Sequence, residues 1–554
     1  MKYARIMGLA ASGTILILVL LGLAGGSVAA PQARGVQIQA TQQILGASAQ
    51  VRTPEQMAAA AALQPAAPSL PPRPKPFLRR LDANTYKELK VKAAANAMGR
   101  RPATAPQSTV PRTPVTSTVN FDGVNASTAG YYPPDTHGAA GRTYFAEVTN
   151  THLDIYQKAA PYTLVQSIST EAWLGATPGY FSNPRMVYDP VYDRWIFLAT
   201  QWRTPSDPAH QYLYLAISLT SDPTGSFYLY TLDVSDSGVS NNTQWDYPQL
   251  GLDRNAIIIT GDLFNLNTGN YIDSRMFSVP KSLVYNGQAF NSPLFTGLDG
   301  TLAPPIVLDL NPYSYLVAAD WYVRNNYVTI YALQGSDTSN PVLYTSYIAV
   351  PTFDIPPYAI QPGTSQMLDT MDARFENAST QIGNSLFQVH TVAYSGLATP
   401  RFYEFNTATD SIIQSGMFYG SNTSNDFNAS IAASRYKDVY VTWSSTDAPN
   451  SVNAQVLVAG RLHTDTPGVI ANGSPLYTSS TFLTGDPSSW DQYVQRWGNH
   501  SAVSLDPSDP RGATAWIVNE YVLSNSLWGS RIGRINLPAQ NRVIPAINFL
   551  LLLN

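Results

Sequence analysis

The sequence predicts an all-β protein, a seven-bladed β-propeller preceded by a disordered N-terminal stalk rich in Ala and Pro. Charged residues make up only 13% of the 554 residues, while aromatic residues reach 11% and 41 Pro and 36 Gly provide many turns. Related segments recur after residue 119, and their strands are apolar almost throughout, as in "WIFLAT" and "AIIIT". Such strands are typical of sheets that are covered on both faces.

Each repeat has a polar or Pro-containing start, a short strand, an Asp/Asn turn and a strongly apolar strand, as in "NPRMVYDPVYDRWIFLATQW". The repeats are anchored, at spacings of 49, 64, 57, 68, 55 and 70 residues, at Asp135, Pro184, Pro248, Pro305, Ala373, Asn428 and Gly498. A period of this length favours propeller blades, which must stack because no small sheet can bury both faces alone. An open solenoid is the competing architecture, but such arrays usually have more uniform repeats.

Two further segments predict how the ring closes. "STVNFDGV" precedes the first repeat and "SRIGRINL" follows the last, and both have strand-like composition. We expect them to pair within one shared blade, so that the propeller body spans residues 119–540.

The N-terminal residues predict export. The first thirty residues contain Lys2 and Arg5, an apolar run and the small residues "SVAA", which together resemble a secretory signal, residues 1–29, cleaved after Ala29. An uncleaved anchor is the alternative, although the run is short for a spanning helix. We therefore expect a secreted or cell-surface protein with no stable membrane span after cleavage. The short apolar tail at 541–554 is either a sorting signal or a packed terminal strand.

Residues 30–118 predict a low-complexity stalk or pro-segment with one short helix, which a capping box at Thr85 and Glu88 would start and Gly99 would end. Residues 1–118 carry 14 basic and 3 acidic residues, a net charge of +11, whereas 119–554 carry 19 and 34, a net charge of −15. Three roles of the basic stalk stay open. Its charges are simply solvated, they bind an anionic polymer of the cell envelope, or they fold back onto the acidic body. Nucleic acid is not an expected partner.

Several reaction classes are excluded. The chain has no Cys, so thiol catalysis and disulfides are ruled out. It contains no GxSxG, HExxH or GxxxxGK[ST] motif, which disfavours α/β-hydrolase, zinc peptidase and nucleotide chemistry.

The segments "PPDTHGAAGRTYFAEVTNTHLDIYQK" and "RWGNHSAVSLDPSDPRGATAWIVNEY" resemble a group of exported bacterial proteins whose copies usually read PPDTNGDVGPNHYVQ and RWGDYS...DP...FW..NEY. The resemblance spans most of residues 120–525 and implies a secreted propeller-like body without an established reaction. His137, Ala140, Asn499 and His500 depart from the group's usual residues, which removes two carboxylates from the motifs.

Carboxylates at blade motifs are candidates for glycoside cleavage, in which two such groups flank the scissile bond. The candidates are Asp135, Asp246 and Glu520, with Asp262, Asp372 and Glu376 also near blade motifs. An Asp at such a position more often caps a turn. Both roles stay open.

Three arginines that start blades, Arg185, Arg374 and Arg496, are candidates to clamp an acidic ligand, with ion pairing to Asp189, Asp372 or Asp491 as the alternative. His137 and Trp497 are further ligand-binding candidates. The recurring tryptophans either stack on sugar rings or form the core between blades. Asp506 and Asp509 in "DPSDPRG" are candidate Ca²⁺ ligands.

These observations favour an extracellular binding or interaction module, with carbohydrate or cell-envelope polymer as its partner. A glycoside hydrolase or lyase that uses carboxylates at the mouth of the channel is the alternative, and a structural surface protein is a third. The fold class alone does not choose among them, and the oligomeric state is left open.

Overall fold

The computed structural model describes residues 35–62, 81–96, 114–235, 242–471, 473–486, 491–498 and 500–538. All of these residues lie within one compact unit that spans residues 33–554. The predicted signal peptide and the predicted apolar tail lie outside the described residues. Within the described ranges, no helix has both the length and the apolar character needed to cross a membrane.

The described part of the chain begins with an N-terminal arm of three short strands and two helices. These elements are β1 (Val36–Ile38), β2 (Gln42–Gly46), β3 (Gln50–Arg52), α1 (Pro54–Ala62) and α2 (Ala83–Ala95). They are followed by β4 (Thr116–Asn125) and the one-turn helix α3 (Ala126–Ala129).

The next elements form the first four blades. The first blade contains β5 (His137–Ala140), β6 (Tyr144–Val148), β7 (His152–Gln157) and β8 (Leu164–Ser169), and α4 (Thr170–Leu174) follows it. The second contains β9 (Phe181–Asp189), β10 (Arg194–Gln201), β11 (Tyr212–Ser218) and β12 (Phe227–Asp233). The third contains β13 (Thr243–Leu252), β14 (Ala256–Asn265), β15 (Tyr271–Pro280), α5 (Lys281–Val284) and β16 (Phe290–Leu298). The fourth contains β17 (Pro305–Val307), β18 (Tyr313–Ala318), β19 (Tyr327–Gln334) and β20 (Val342–Ala349).

The remaining elements complete the described part of the ring. Strands β21 (Ala359–Ile360) and β22 (Met367–Leu368) lie in the loop that leads to the fifth blade. The fifth blade contains β23 (Ser379–Ile382), β24 (Ser385–Tyr394), β25 (Leu397–Asn406) and β26 (Ser411–Met417). The sixth contains β27 (Asn425–Ala433), β28 (Val439–Asp447), a 3₁₀ turn (Ala448–Asn450), β29 (Val452–Arg461) and β30 (Ser474–Thr478). After β31 (Val494–Gln495), the seventh contains β32 (Ala502–Leu505), β33 (Thr514–Ser524) and β34 (Leu527–Asn536).

The seven-bladed propeller is confirmed in the described residues. Within each blade, strands that follow one another in sequence pair antiparallel, except that β17 does not pair with β18 and pairs in parallel with β13 and β23. Four of the seven anchor positions lie in an innermost strand, and the other three lie two to six residues before one. The periodicity of the sequence therefore located the blades correctly.

The predicted closure is also confirmed. Strand β4 pairs antiparallel with β34 and becomes the outer strand of the seventh blade, with Ile532 opposite Phe121 and Arg534 opposite Val119. Phe145 of the first blade stacks on Trp516 of the seventh, with ring centroids 5.6 Å apart. The two ends of the propeller sequence are thus held in one sheet and packed against the next blade.

The N-terminal arm is not a disordered stalk over residues 36–62 and 83–95, and the expectation is wrong there. Strands β1, β2 and β3 pair antiparallel with the outer strands β20, β16 and β12, so the arm covers the edges of the fourth, third and second blades in turn. Unpaired edge strands expose backbone donors and acceptors, and the arm satisfies them. Composition alone did not reveal this pairing, because the partner strands lie far along the chain.

The predicted helix is present but begins earlier than expected. Asp82 caps α2 by accepting hydrogen bonds from the backbone N–H groups of Asn84 (3.0 Å) and Thr85 (3.1 Å). Thr85 therefore lies inside the first turn rather than at the N-cap. The helix ends at Ala95, before Gly99, which lies outside the described residues.

Candidate functional site

A shared backbone irregularity shapes the inner strands of three blades. In β9, β13 and β27 the register shifts at Asn183, Tyr247 and Asn428, and each of these residues has a positive φ, between 50° and 56°. Such β-bulges bend a strand and redirect side chains, and a positive φ is costly for a bulky residue such as Tyr. The bulges turn the polar side chains near the start of each inner strand towards neighbouring blades.

Arg185 of β9 links four blades across the interior. Its guanidinium donates hydrogen bonds to the carbonyl oxygens of Pro248 (3.1 Å) and Glu376 (3.0 Å), to Asn377 Oδ1 (2.8 Å) and to His500 Nε2 (3.0 Å). Because a guanidinium can only donate, His500 Nε2 accepts and its ring is neutral in this arrangement. The Arg185 side chain is 2% exposed. Arg185 therefore joins blades, and the structure does not support its predicted role in clamping an acidic ligand.

Arg374 is likewise engaged within the protein. It forms a two-point ion pair with Asp372, at 2.7 and 2.6 Å, and lies 3.7 Å from Asp262. The Tyr247 ring packs against both guanidiniums, with centroids 5.5 Å from Arg185 and 4.9 Å from Arg374. Arg374 thus forms the ion pair with Asp372 that was its alternative role.

Arg496, the third predicted clamp residue, is also buried, at 6% exposed. The two carboxylates expected as alternative partners of the arginines, Asp189 and Asp491, pair with Lys281 (2.6 Å) and Lys87 (2.5 Å). The structure therefore gives no open three-arginine clamp within the described residues.

The predicted catalytic carboxylates Asp135 and Asp246 belong to one chain of hydrogen bonds. Asn150 donates to Asp135 Oδ2 (3.0 Å) and accepts from the N–H of Asn183 (2.9 Å), whose side chain donates to Asp246 Oδ1 (2.6 Å). Asp135 is fully buried and Asp246 is 5% exposed. These contacts support the alternative of turn and bulge stabilisation for both residues.

Glu520, the third predicted catalytic residue, joins the two motifs that carry the resemblance. Its Oε2 accepts from the N–H of Gly498 (2.6 Å), and a Cβ added at Gly498 would lie 2.7 Å from that oxygen and 3.1 Å from Pro134. Burial raises the pKa of Glu520 well above its usual range, with the charges of Asp486 and Asp135 acting in the same direction. The segments "RWG", "NEY" and "PPDT" thus pack together where the seventh blade meets the first.

His137 and Trp497 are not exposed to a ligand. His137 Nδ1 accepts from the N–H of Met186 (3.3 Å), and burial holds the pKa of His137 well below its usual range. Trp497 is 2% exposed and donates to Ser444 Oγ (3.0 Å). Every tryptophan in the described residues is at most 8% exposed, so these side chains form core rather than a sugar-stacking surface.

The predicted calcium ligands bind groups of the protein itself. Asp506 Oδ1 accepts from the Lys158 ammonium (2.6 Å), and its Oδ2 accepts from Trp516 Nε1 (2.9 Å). Asp509 Oδ2 accepts from Thr514 Oγ1 (2.8 Å) and closes the turn. No group of three or more His, Cys, Asp or Glu side chains that could hold a metal ion occurs in the described ranges. The structure does not support the predicted Ca²⁺ site, because a lysine already supplies the positive charge.

A pocket of about 380 Å³ lies at the junction of the seventh and first blades. We call it the seam pocket; it is lined by Phe121, Asp122, Gly123, Val124, Asn125, Thr128, Asp154, Tyr156, Tyr162, Leu164 and Ser167. Its volume is within the range of small-ligand sites, about 300–1,000 Å³. Sequence reasoning missed it, because its residues match no motif and come together only through ring closure.

Aromatic rings form one wall of the seam pocket. The rings of Phe121 on β4 and Tyr162, which precedes β8, are nearly parallel, with an interplanar angle of 6° and centroids 5.8 Å apart. The Phe121 ring also contacts the Tyr156 ring, with centroids 5.2 Å apart. Asp122 and Leu164 are exposed at the rim, so the pocket is open to solvent. The pocket thus combines apolar ring faces with polar groups.

Asp154 supplies a buried carboxylate to the pocket. It is 6% exposed, Tyr156 donates to its Oδ2 (3.2 Å), and its Oδ1 has no hydrogen-bond partner among the described residues. Burial raises the pKa of Asp154 to about 6, although Ser167 and Tyr156 act to lower it. Opposite Asp154 on β6, burial raises the pKa of Glu147 to about 8, and the Asp154 charge acts in the same direction.

Comparison with known proteins adds little beyond the fold. Neither a protein-family model nor a curated protein sequence matches the chain. The WD40 domain of Toxoplasma gondii coronin is similar at 9% identity and a TM-score of 0.37, over 80% of this chain and 90% of that chain. Trypanosoma rangeli sialidase in complex with sialic acid is similar at 10% identity and a TM-score of 0.35. The match covers 72% of this chain and 58% of that chain. An exo-1,5-α-L-arabinanase from a bovine ruminal metagenomic library is similar at 11% identity and a TM-score of 0.29. The match covers 66% of this chain and 99% of that chain. These similarities are too distant to identify a ligand.

Proposed function

We propose that this protein is an extracellular binding module for carbohydrate or cell-envelope polymer, and that the seam pocket holds a sugar unit. The observation that carries the proposal is the combination of stacked rings and carboxylates around this 380 Å³ cavity. Sugars present C–H faces that pack on aromatic rings and hydroxyls that donate to carboxylates and amides. The exposed edge of the cavity leaves room for a polymer to continue beyond the bound unit.

The arrangement of the polar groups suits hydroxyl recognition. Asp154 Oδ1 is a buried acceptor without a partner in the described residues, and a sugar hydroxyl would satisfy it. Asp122 is held at the rim by Arg531 (2.5 Å) and Tyr521 (3.0 Å), which fixes a second acceptor. Fixed acceptors next to rigid rings favour affinity, because little side-chain freedom is lost on binding.

Binding is favoured over hydrolysis because of the interior contacts. Arg185, Asp135 and Asp246 are buried and bound to other residues of the chain. A glycosidase needs two carboxylates that reach the scissile bond. In the part of the chain that the structure describes, the predicted catalytic carboxylates hold the blades together instead.

The test is binding of the purified protein to a panel of plant, bacterial and host polysaccharides, measured by isothermal titration calorimetry. Phe121→Ala removes a stacking ring and should weaken binding at least tenfold. The matched control is Tyr322→Ala, since Tyr322 is an aromatic residue of the fourth blade that is 60% exposed and far from the seam in sequence. Binding that is absent across the panel, or equal in Phe121→Ala and wild type, would overturn the proposal. Release of reducing ends in the same samples would favour the hydrolase alternative.

A further inference from the structure

Helix α2 buries a lysine beside the interior polar network. Lys90 is 0% exposed, and its ammonium donates to Thr370 Oγ1 (2.7 Å) and to the carbonyl oxygen of Met371. Asp369 Oδ1 lies 3.4 Å from the ammonium. All three acceptors belong to the loop that leads into the fifth blade, whereas Lys90 belongs to the N-terminal arm.

Aromatic rings enclose the same ammonium. The ring centroids of Tyr86 on α2 and Tyr358 on the loop each lie 5.1 Å from Lys90 Nζ. Aromatic faces attract cations, and the effect is larger where water is excluded. The loop thus presents a cation-binding surface, which we call the amine pit and define as Tyr358, Asp369, Thr370 and the Met371 carbonyl; the charge of Glu376 also acts on Lys90.

The amine pit has more acceptor capacity than Lys90 uses. Asp369 Oδ2 and Glu376 Oε1 are buried and have no hydrogen-bond partner among the described residues. Both residues are 2% exposed. Burial raises the pKa of Glu376 well above its usual range, and the charge of Asp372 acts in the same direction. Asp369 Oδ2 thus remains as a buried acceptor for a ligand with an additional donor.

Helix α2 covers the amine pit with few buried side chains. Only Tyr86, Lys90 and Ala93 of its 13 residues are buried. The ring closes through β4 and β34 without any contribution from α2. Burial lowers the pKa of Lys90 to about 8 even though Asp369 and Asp372 act to raise it, so sealing the ammonium under the helix is costly. A soluble ammonium at the same acceptors would meet the same carboxylate and carbonyl oxygens and the Tyr358 ring without needing the helix.

We infer that the amine pit is a binding site for a primary alkylammonium group, that Lys90 is its built-in occupant, and that an amine-bearing ligand binds by displacing helix α2. This site is separate from the seam pocket, and it does not depend on carbohydrate binding.

The first experiment uses n-butylammonium chloride, which reproduces the end of a lysine side chain, and n-butanol as the uncharged control. Lys90→Ala in the full chain should bind n-butylammonium at least tenfold more tightly than wild type does, as measured by calorimetry. The matched control is Lys87→Ala, because Lys87 lies on the same helix but is 46% exposed and pairs with Asp491. Adding Asp369→Asn to Lys90→Ala should abolish the gain.

The second experiment uses wild-type protein, so it does not depend on whether a variant folds. Amide hydrogen exchange in residues 83–95 should accelerate at least tenfold in n-butylammonium chloride, and should not change in n-butanol or in tetramethylammonium chloride at the same ionic strength. Unchanged exchange, together with no amine binding to folded Lys90→Ala, would make Lys90 a fixed structural clamp and overturn the inference. Asp154→Asn should leave both results unaltered, which separates this site from the seam pocket.

Discussion

Replacing Asp154 with Asn should stabilise the fold while weakening ligand binding. Burial raises the pKa of Asp154 from its ordinary value of 3.8 to about 6. The folded state therefore binds the proton more tightly than the unfolded state does, and the free energy of unfolding decreases as pH rises through this interval. At 1.36 kcal/mol for each pKa unit, the burial of the carboxylate at neutral pH costs about 3 kcal/mol.

An Asn at this position carries no charge and can still accept from Tyr156. We expect Asp154→Asn to raise the free energy of unfolding at pH 7.5 by up to about 3 kcal/mol, and the difference from wild type to shrink to near zero as pH falls below about 4. Urea denaturation followed by tryptophan fluorescence at pH 7.5, 5 and 4 measures both effects. Carbohydrate affinity should fall in the same variant, since a charged acceptor is lost.

The control for this prediction is Asp122→Asn. The Asp122 side chain is 61% exposed, so its replacement should change stability by less than about 1 kcal/mol. A less stable Asp154→Asn at pH 7.5, or a stability difference that does not vary with pH, would refute the reasoning. Such a result would mean that Asp154 is stabilised by its surroundings and that a binding role is not needed to explain it.

Three further predictions concern buried cations. Arg185→Met removes the donor from four acceptors and should lower the free energy of unfolding by roughly 3 kcal/mol or more in urea titrations, whereas the exposed Arg142→Met should change it by less than about 1 kcal/mol. Lys158→Met leaves the buried Asp506 carboxylate without its lysine partner and should lower the free energy of unfolding by about 3–5 kcal/mol. Millimolar CaCl₂ should not shift the Tm of the wild-type protein, and a rise in Tm would restore the calcium hypothesis. Burial lowers the pKa of Lys90 from 10.5 to about 8, so the unfolded chain binds that proton more tightly than the folded protein does. The free energy of unfolding of the wild type, relative to that of Lys90→Met, should therefore rise between about pH 8 and 10.5. A difference that stays flat or falls would contradict this prediction.

The fold was predictable because its signals are local. Apolar runs such as those of β10 and β14 recur with turn residues between them, and each needs a neighbouring sheet. The closing pair β4 and β34 could be inferred because a ring of blades requires one. The pairing of β1, β2 and β3 could not, because these strands are three to five residues long and mostly exposed, and their partners lie far along the chain.

The site was harder to predict for a related reason. The sequence placed Asp135 and Asp246 correctly near the starts of inner strands, but their chemistry depends on Asn150 and Asn183, which only the fold brings to them. Phe121 and Asp154 carry no motif, and their proximity results from the pairing of β4 with β34. A residue's type and spacing predict what it can do, whereas its neighbours decide what it does.

The pairing of β4 with β34 also determines when the protein can fold during its synthesis. Asn120 and Arg531 are hydrogen-bonded across 411 residues of sequence, so the ring cannot close until nearly the whole described chain has been made. Until then β4 lacks its partner strand, and the first blade lacks the seventh blade that packs against it. A chain interrupted before residue 527 would therefore leave an open ring with unpaired edges, which proteases and chaperones recognise. Completion of the ring, more than the formation of any single blade, is the step that distinguishes a finished molecule from an unfinished one.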